Sequence, residues 1–123
     1  MIDRLVDDGS IVLPDLEFAT GSAQLGTGPF ASLQQLSEWL ADNPTARVIL
    51  VGHTDAVGSL AANTALSRQR ATAVSNRLIS AFGTNRAQLQ SAGAGYLAPV
   101  TSNLTPEGRA ANRRVAVVLL SLN

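Results

Sequence analysis

The sequence predicts an α/β layer fold, one sheet with two helices packed on it, in the order strand, helix, strand, helix, strand, strand. Three observations carry that expectation. Val48-Ile49-Leu50-Val51 is a short, β-branched apolar run, the pattern of a strand covered on both faces. Phe30, Leu33, Leu36 and Leu40 recur at helical spacing before Asn43-Pro44. A longer helical pattern begins near Leu60. At about 100° per residue its apolar arc takes in Leu60, Ala71, Val74, Leu78, Ala81 and Phe82.

The elements follow from local signals. Met1 to Leu13 reads as a lead-in that ends in a strand at Ser10–Leu13. Pro14-Asp15 bends the chain and Leu16–Phe18 resumes as strand. Thr20 to Gly28, rich in Gly, Ser and Thr, is a loop. Thr27 or Gly28 caps a helix whose first position is Pro29, and Asn43-Pro44 ends it. Trp39 lies beside that apolar stripe and packs at its edge. Gly52 stops the central strand, and Phe82-Gly83-Thr84-Asn85 stops the long helix. Gln88–Ala92 is a third strand and Gly93 to Asn103 a loop. Thr105-Pro106-Glu107 opens a short helix with a Thr cap, Pro at the first position and Glu at the positive end of the dipole. Arg114–Leu120 is a last strand, apolar enough to be central.

At 123 residues, 46% hydrophobic and 15% charged, residues 1–123 form one domain of an ordinary globular protein. The absence of cysteine rules out disulfides and fits an oxidising compartment. Neither a signal peptide nor a run long enough to span a membrane is present, so any anchoring segment of a parent protein lies outside these residues. Net charge is zero but polarised: residues 1–45 hold seven acids and one base, and residues 46–123 hold eight bases and two acids. All nine bases are Arg, suited to carboxylate or phosphate. Nucleic acid is a poor fit, because the balance is neutral and aromatics are only 4%.

Two side chains stand out. Asp55, in His53-Thr54-Asp55, falls where the central strand leaves the sheet, the usual place for a ligand crevice. On the long helix Asn63, Ser67 and Arg70 lie on or beside the inward arc, all in its N-terminal half. An inward guanidinium is costly to desolvate without an anionic partner. Two readings stay open: Asp55 pairs with Arg70 inside the fold, or both face a pocket awaiting a ligand that carries both charges. The second requires the Ala56–Ser59 loop to carry the first helical turns past the sheet, since Arg70 lies about three turns in.

Gly93-Ala94-Gly95-Tyr96-Leu97-Ala98 matches a dinucleotide fingerprint by letters, but a loop with Pro99 follows where a helix is required. A single His and no Cys leave zinc short of ligands. A hydrolase using His53 and Asp55 lacks a nucleophile or metal set.

Gly52-His53-Thr54-Asp55, then Gly58, Asn63, Leu66-Ser67, Arg70-Ala71, Val74 and Leu78, resembles the signature of the OmpA-like peptidoglycan-binding domain. So does Pro99 followed by Asn103-Leu104-Thr105-Pro106-Glu107-Gly108-Arg109-Ala110-Ala111-Asn112-Arg113-Arg114-Val115, with Phe18, Ser22 and Leu25 upstream. The resemblance runs from about Leu16 to Leu120. It implies a mixed four-stranded sheet backed by two helices, and non-covalent binding of peptidoglycan through meso-diaminopimelate of the stem peptide, with no cofactor. It further implies that Asp55 receives the ligand's ammonium and Arg70 its carboxylate. Asn63 and Leu66 line the pocket, Thr54 and Ala56 offer backbone groups, and Arg113 adds a contact. A periplasmic setting follows, in an outer-membrane barrel, a lipoprotein or a flagellar stator protein. Ala94 departs from the family, which has an aromatic there; Tyr96 stands two residues on. The alternative is an envelope protein–protein module with a structural Asp55–Arg70 pair.

Overall fold

A computed structural model describes residues 2–123. In chain order the elements are α1 (Arg4–Asp8), β1 (Ser10–Val12), α2 (Ala31–Asp42), β2 (Arg47–Gly52), α3 (Leu60–Phe82), a 3-10 turn (Arg86–Gln88), β3 (Leu89–Gly93), α4 (Pro106–Asn112) and β4 (Val115–Ser121). The sheet order is β1-β4-β2-β3. β4 is central and antiparallel to both neighbours, while β2 and β3 are parallel and joined by the α3 crossover. The mixed four-stranded sheet with two long helices is therefore present as expected.

The helices cover one face of the sheet, not two. Val48 and Leu50 of β2 and Val115 and Val117 of β4 are fully buried, whereas Ile49, Val51, Ala116 and Val118 between them are half-buried. The strand's apolar run reflects β-branched packing on both sides of a central position rather than a second helical layer. On the covered face Leu33, Leu36 and Leu40 of α2 meet Val74 and Leu78 of α3.

Three other expectations are corrected. The lead-in contains a short helix, α1, whose Leu5 is fully buried and which Gly9 closes at φ 80°. Leu16 and Phe18 are buried, but 16–18 is not a strand. α2 begins at Ala31 rather than Pro29, and no side chain of the preceding loop caps it. Asp15 does so from a distance, accepting hydrogen bonds from the Ser32 backbone N–H at 3.0 Å and from the Ser32 hydroxyl. As expected, Thr105 caps α4 by accepting from the Gly108 N–H at 3.0 Å, with Pro106 in the first turn.

α3 overruns the sheet. Its 23 residues extend roughly 34 Å against roughly 20 Å for the six residues of β2. Leu60, Ala81 and Phe82, expected on the inward arc, are consequently exposed at its ends. Where the helix crosses the strand ends, glycine is obligatory. A Cβ on Gly52 would lie 1.8 Å from the Ser67 carbonyl oxygen, and one on Gly93 would lie 2.5 Å from Ser67 Oγ. Gly95 N–H donates to that same Oγ at 2.9 Å. The glycines read by letters as a dinucleotide motif are thus a helix-crossing surface. Because α3 runs back along the sheet from this point, its first two turns hang beyond the end of β2.

Gly52→Ala should cost about 3 kcal/mol or more, because the clash is with helix backbone that no rotamer change relieves. Gly83→Ala, at φ 69° with open space around it, should cost only about 1–2 kcal/mol. Urea unfolding midpoints check the contrast.

Candidate functional site

The site is built where β2 ends. His53, Thr54 and Asp55 are all buried, and neighbours fix their backbone: His53 N–H donates to the Arg114 carbonyl at 2.8 Å and Thr54 N–H to the Gly95 carbonyl at 2.9 Å. Asp55 Oδ1 accepts from the Val57 N–H at 3.1 Å, an Asx turn that starts the loop toward α3. Asn63 holds that loop, its amide donating to the Val57 and Ser59 carbonyls at 2.8 and 2.9 Å.

Arg70 is fully buried. Helical side chains lean toward the N-terminus, so from its place over the sheet it reaches back to the strand end. Nη1 donates to the His53 carbonyl at 2.9 Å, Nε to the Ser22 carbonyl at 2.8 Å and Nη2 to the Ala19 carbonyl at 3.1 Å. The guanidinium lies 5.1 Å from the centre of the Phe18 ring. Arg113 takes the neighbouring carbonyl, its Nε donating to Phe18 at 2.8 Å. The carbonyls of Phe18, Ala19 and Ser22 are thus taken by arginine side chains and not by a strand ladder.

Asp55 does not pair with Arg70. Its Oδ2 meets Arg113 Nη1 at 3.0 Å, in an ion pair whose side chains are 4% and 18% exposed. Nor does Arg70 face solvent. One carboxylate therefore serves two guanidiniums. Burial pushes the Arg70 pKa down to about 10; the nearby Asp55 works against that fall and Arg113 adds to it. Arg113 is placed by its neighbour Asn112, fully buried, whose Oδ1 accepts from Val100 N–H and whose Nδ2 donates to the Thr101 carbonyl and Asn103 Oδ1. Gly108 lets α4 close on that loop, since a Cβ there would lie 1.8 Å from the Ser102 carbonyl.

Of the residues singled out by sequence, Thr54, Asp55, Asn63, Arg70 and Arg113 converge on the end of β2. Ala56 is exposed on the loop and Leu66 half-buried on α3, and no hydrogen bond ties either side to the charge cluster. Sequence reasoning missed that Arg113 is the partner of Asp55. It also missed the carbonyls of Phe18, Ala19 and Ser22, which leave no side-chain signature. Among the described residues no group of three or more His, Asp and Glu could hold a metal, and no helix is long and apolar enough to cross a membrane.

His53 is 7% exposed and its Nδ1 has no partner. Burial, then the charge of Arg114, pushes its pKa from 6.5 down to about 4. The folded state thus holds the imidazole neutral while the unfolded chain protonates it first. Its contribution is fully present above about pH 6.5 and is lost as pH falls toward 4, by about 3 kcal/mol at most. Chemical denaturation of the wild type and His53→Gln across pH 4–7 should show that slope in the wild type and a flatter profile in the variant.

Residues 17–113 match the sequence profile of the OmpA family. The chain is 35% identical over 101 residues to outer membrane porin F of Pseudomonas aeruginosa, covering 82% of this chain and 29% of the porin. It is 38% identical over 104 residues to peptidoglycan-binding protein ArfA of Mycobacterium tuberculosis, covering 85% of this chain and 32% of ArfA. It therefore spans about a third of the length of these relatives. The solved structure of the peptidoglycan-associated lipoprotein from Burkholderia pseudomallei matches with a TM-score of 0.78 at 30% identity, over 85% of this chain and 88% of that one. With a four-stranded mixed sheet, a charge cluster at the end of β2 and a profile match over most of its length, this chain belongs to the OmpA family.

Proposed function

We propose that this chain binds peptidoglycan non-covalently through the meso-diaminopimelate of the stem peptide, anchoring a parent envelope protein to the cell wall from the periplasm. It acts as a binding module and not as an enzyme. The observation that carries this reading is the charge imbalance at the end of β2: Asp55 alone faces the fully buried Arg70 and the part-exposed Arg113. A cation that burial drives toward neutrality gains from any anion brought to it. A free amino-acid head group brings a carboxylate for Arg70 and an ammonium for Asp55 together. Asn63 and Leu66 line the ligand, Thr54 and Ala56 offer backbone groups, and Arg113 keeps Asp55 oriented. Entry displaces part of the 19–22 segment, whose carbonyls cover Arg70. Family membership supports the reading, since ArfA and the Burkholderia lipoprotein are named for peptidoglycan.

One observation favours a rival. Arg70 already has three carbonyl acceptors and a ring, a sufficient set for a purely structural residue. On that reading the domain is a protein–protein module of the envelope.

Titration with free meso-diaminopimelate, followed by NMR, separates the two. The proposal expects saturable binding in the wild type, weakened about 10- to 100-fold in Asp55→Asn and in Arg70→Lys, from ~1.5–3 kcal/mol per charge-assisted hydrogen bond. Lys keeps a charge where Ala would strip three carbonyls of their donor, and far-UV dichroism verifies the fold. No binding by the wild type at millimolar ligand would favour the rival.

A further inference from the structure

We infer that residues 22–27 form a strap that competes with the ligand for Arg70, and that Arg77 is the latch that sets how often the strap opens. This rests on the reading above and adds its regulation: Arg70 grips a carboxylate only while the strap is off.

The strap hangs between fixed points. Upstream, Phe18 is buried and its carbonyl accepts from Arg113 Nε; downstream, Ser32 is buried and tied to Asp15. Between them residues 19–29 include no buried residue, and Leu25 leans on the core only in part. A stretch with so little apolar burial opens at low cost. Gly21 and Gly28 bracket 22–27 at φ 74° and 78°, and nothing lies within 4 Å of where a Gly21 side chain would start. That end can turn without a clash. A cleft of about 620 Å³ is lined by Ser22, Gln24 and Leu25 of the strap and by Ala73, Asn76 and Ser80 of α3, so the strap is not sealed onto the helix.

What fastens the strap is arginine. Arg70 Nε donates to the Ser22 carbonyl at 2.8 Å. About two turns further along α3, Arg77 donates from Nη1 to the Thr27 carbonyl and from Nη2 to the Leu25 carbonyl. Both Arg77 bonds are 3.4 Å long, beyond the usual range for N–H···O, and its guanidinium lies 5.8 Å from the centre of the Phe30 ring. When the strap leaves, Arg70 keeps the His53 and Ala19 carbonyls and loses that of Ser22. Its Nε then becomes available to a carboxylate oxygen, so strap and ligand exclude each other at one nitrogen. Apparent affinity is the intrinsic affinity scaled by the open fraction. Among the described residues the hydrogen bonds of the Arg77 side chain go to the strap and not to the Asp55 cluster, so Arg77 acts on that fraction as a positioning residue.

Titration of the whole chain with free meso-diaminopimelate, with rates taken from NMR line shapes, tests this. Arg77→Ala should bind roughly three- to tenfold tighter than the wild type, with the gain in the association rate and the dissociation rate unchanged. The converse is a lock: Gln24→Cys with Asn76→Cys, in a chain that has no other cysteine, joined by a short thiol-reactive cross-linker. The cross-linked protein should bind at least about tenfold more weakly than the same variant left unlinked, which should bind like the wild type. Unchanged or weaker binding by an Arg77→Ala chain whose far-UV dichroism is that of the wild type, or full binding by the cross-linked protein, overturns the strap and leaves the diaminopimelate site standing. No binding by the wild type, by Arg77→Ala or by the unlinked cysteine variant overturns both.

Discussion

The desolvated guanidinium of Arg70 is the constraint to which the surrounding structure answers. A buried arginine must spend its donors inside the protein, and here they go to three carbonyls: one at the exit of β2 and two on the segment that precedes α2. That single side chain therefore joins the sheet, α3 and a stretch with no regular structure of its own. Arg113 repeats the device one residue upstream in the same stretch, at Phe18. Arg77 continues it with longer bonds of 3.4 Å to Leu25 and Thr27. The irregular segment is ordered because arginines from α3 and from the end of α4 hold its backbone.

Arg70 can reach the strand end only because α3 comes down onto it. Gly52 and Gly93 remove the Cβ atoms that would otherwise strike Ser67, and the Ser67 hydroxyl, donating to Thr64 and accepting from Gly95, seals the crossing. The same close approach leaves the first turns of the helix beyond the sheet, where Asn63 meets the Val57–Ser59 turn. Site and scaffold are consequently one packing arrangement.

Much of this was legible in the sequence, and the limits have a physical pattern. The order of strands and long helices followed from apolar periodicity, and the Thr105-Pro106 start of α4 from capping chemistry. Polar residues on the inward arc of α3 flagged Asn63, Ser67 and Arg70, all of which prove buried. What periodicity could not reach were contacts between side chain and distant backbone. The cap that Asp15 supplies to Ser32, the Gln88 amide that ties down the carbonyls of Leu40, Asn43 and Ala46, and the arginine bonds to the 18–22 segment all join positions far apart in sequence. A five-residue helix such as α1 is likewise too short to show a period.

The partner of Asp55 teaches the most. Pairing with Arg70 is one of the two readings the sequence leaves open, because both are polar residues in an apolar setting. Had they paired, each would have cancelled the other, and a ligand would have had to break a buried ion pair before gaining anything. Giving Asp55 to Arg113 changes that balance. The carboxylate stays oriented by Arg113, while Arg70 rests on neutral carbonyls, which solvate a cation without neutralising it. On the proposed function, this leaves the positive handle without a carboxylate of its own and the negative one shared with a partly exposed arginine. A zwitterion then engages both, its carboxylate at Arg70 and its ammonium at Asp55, whereas a lone cation or a lone anion engages only one. Three charges in place of two thus favour an amino-acid head group over either of its parts.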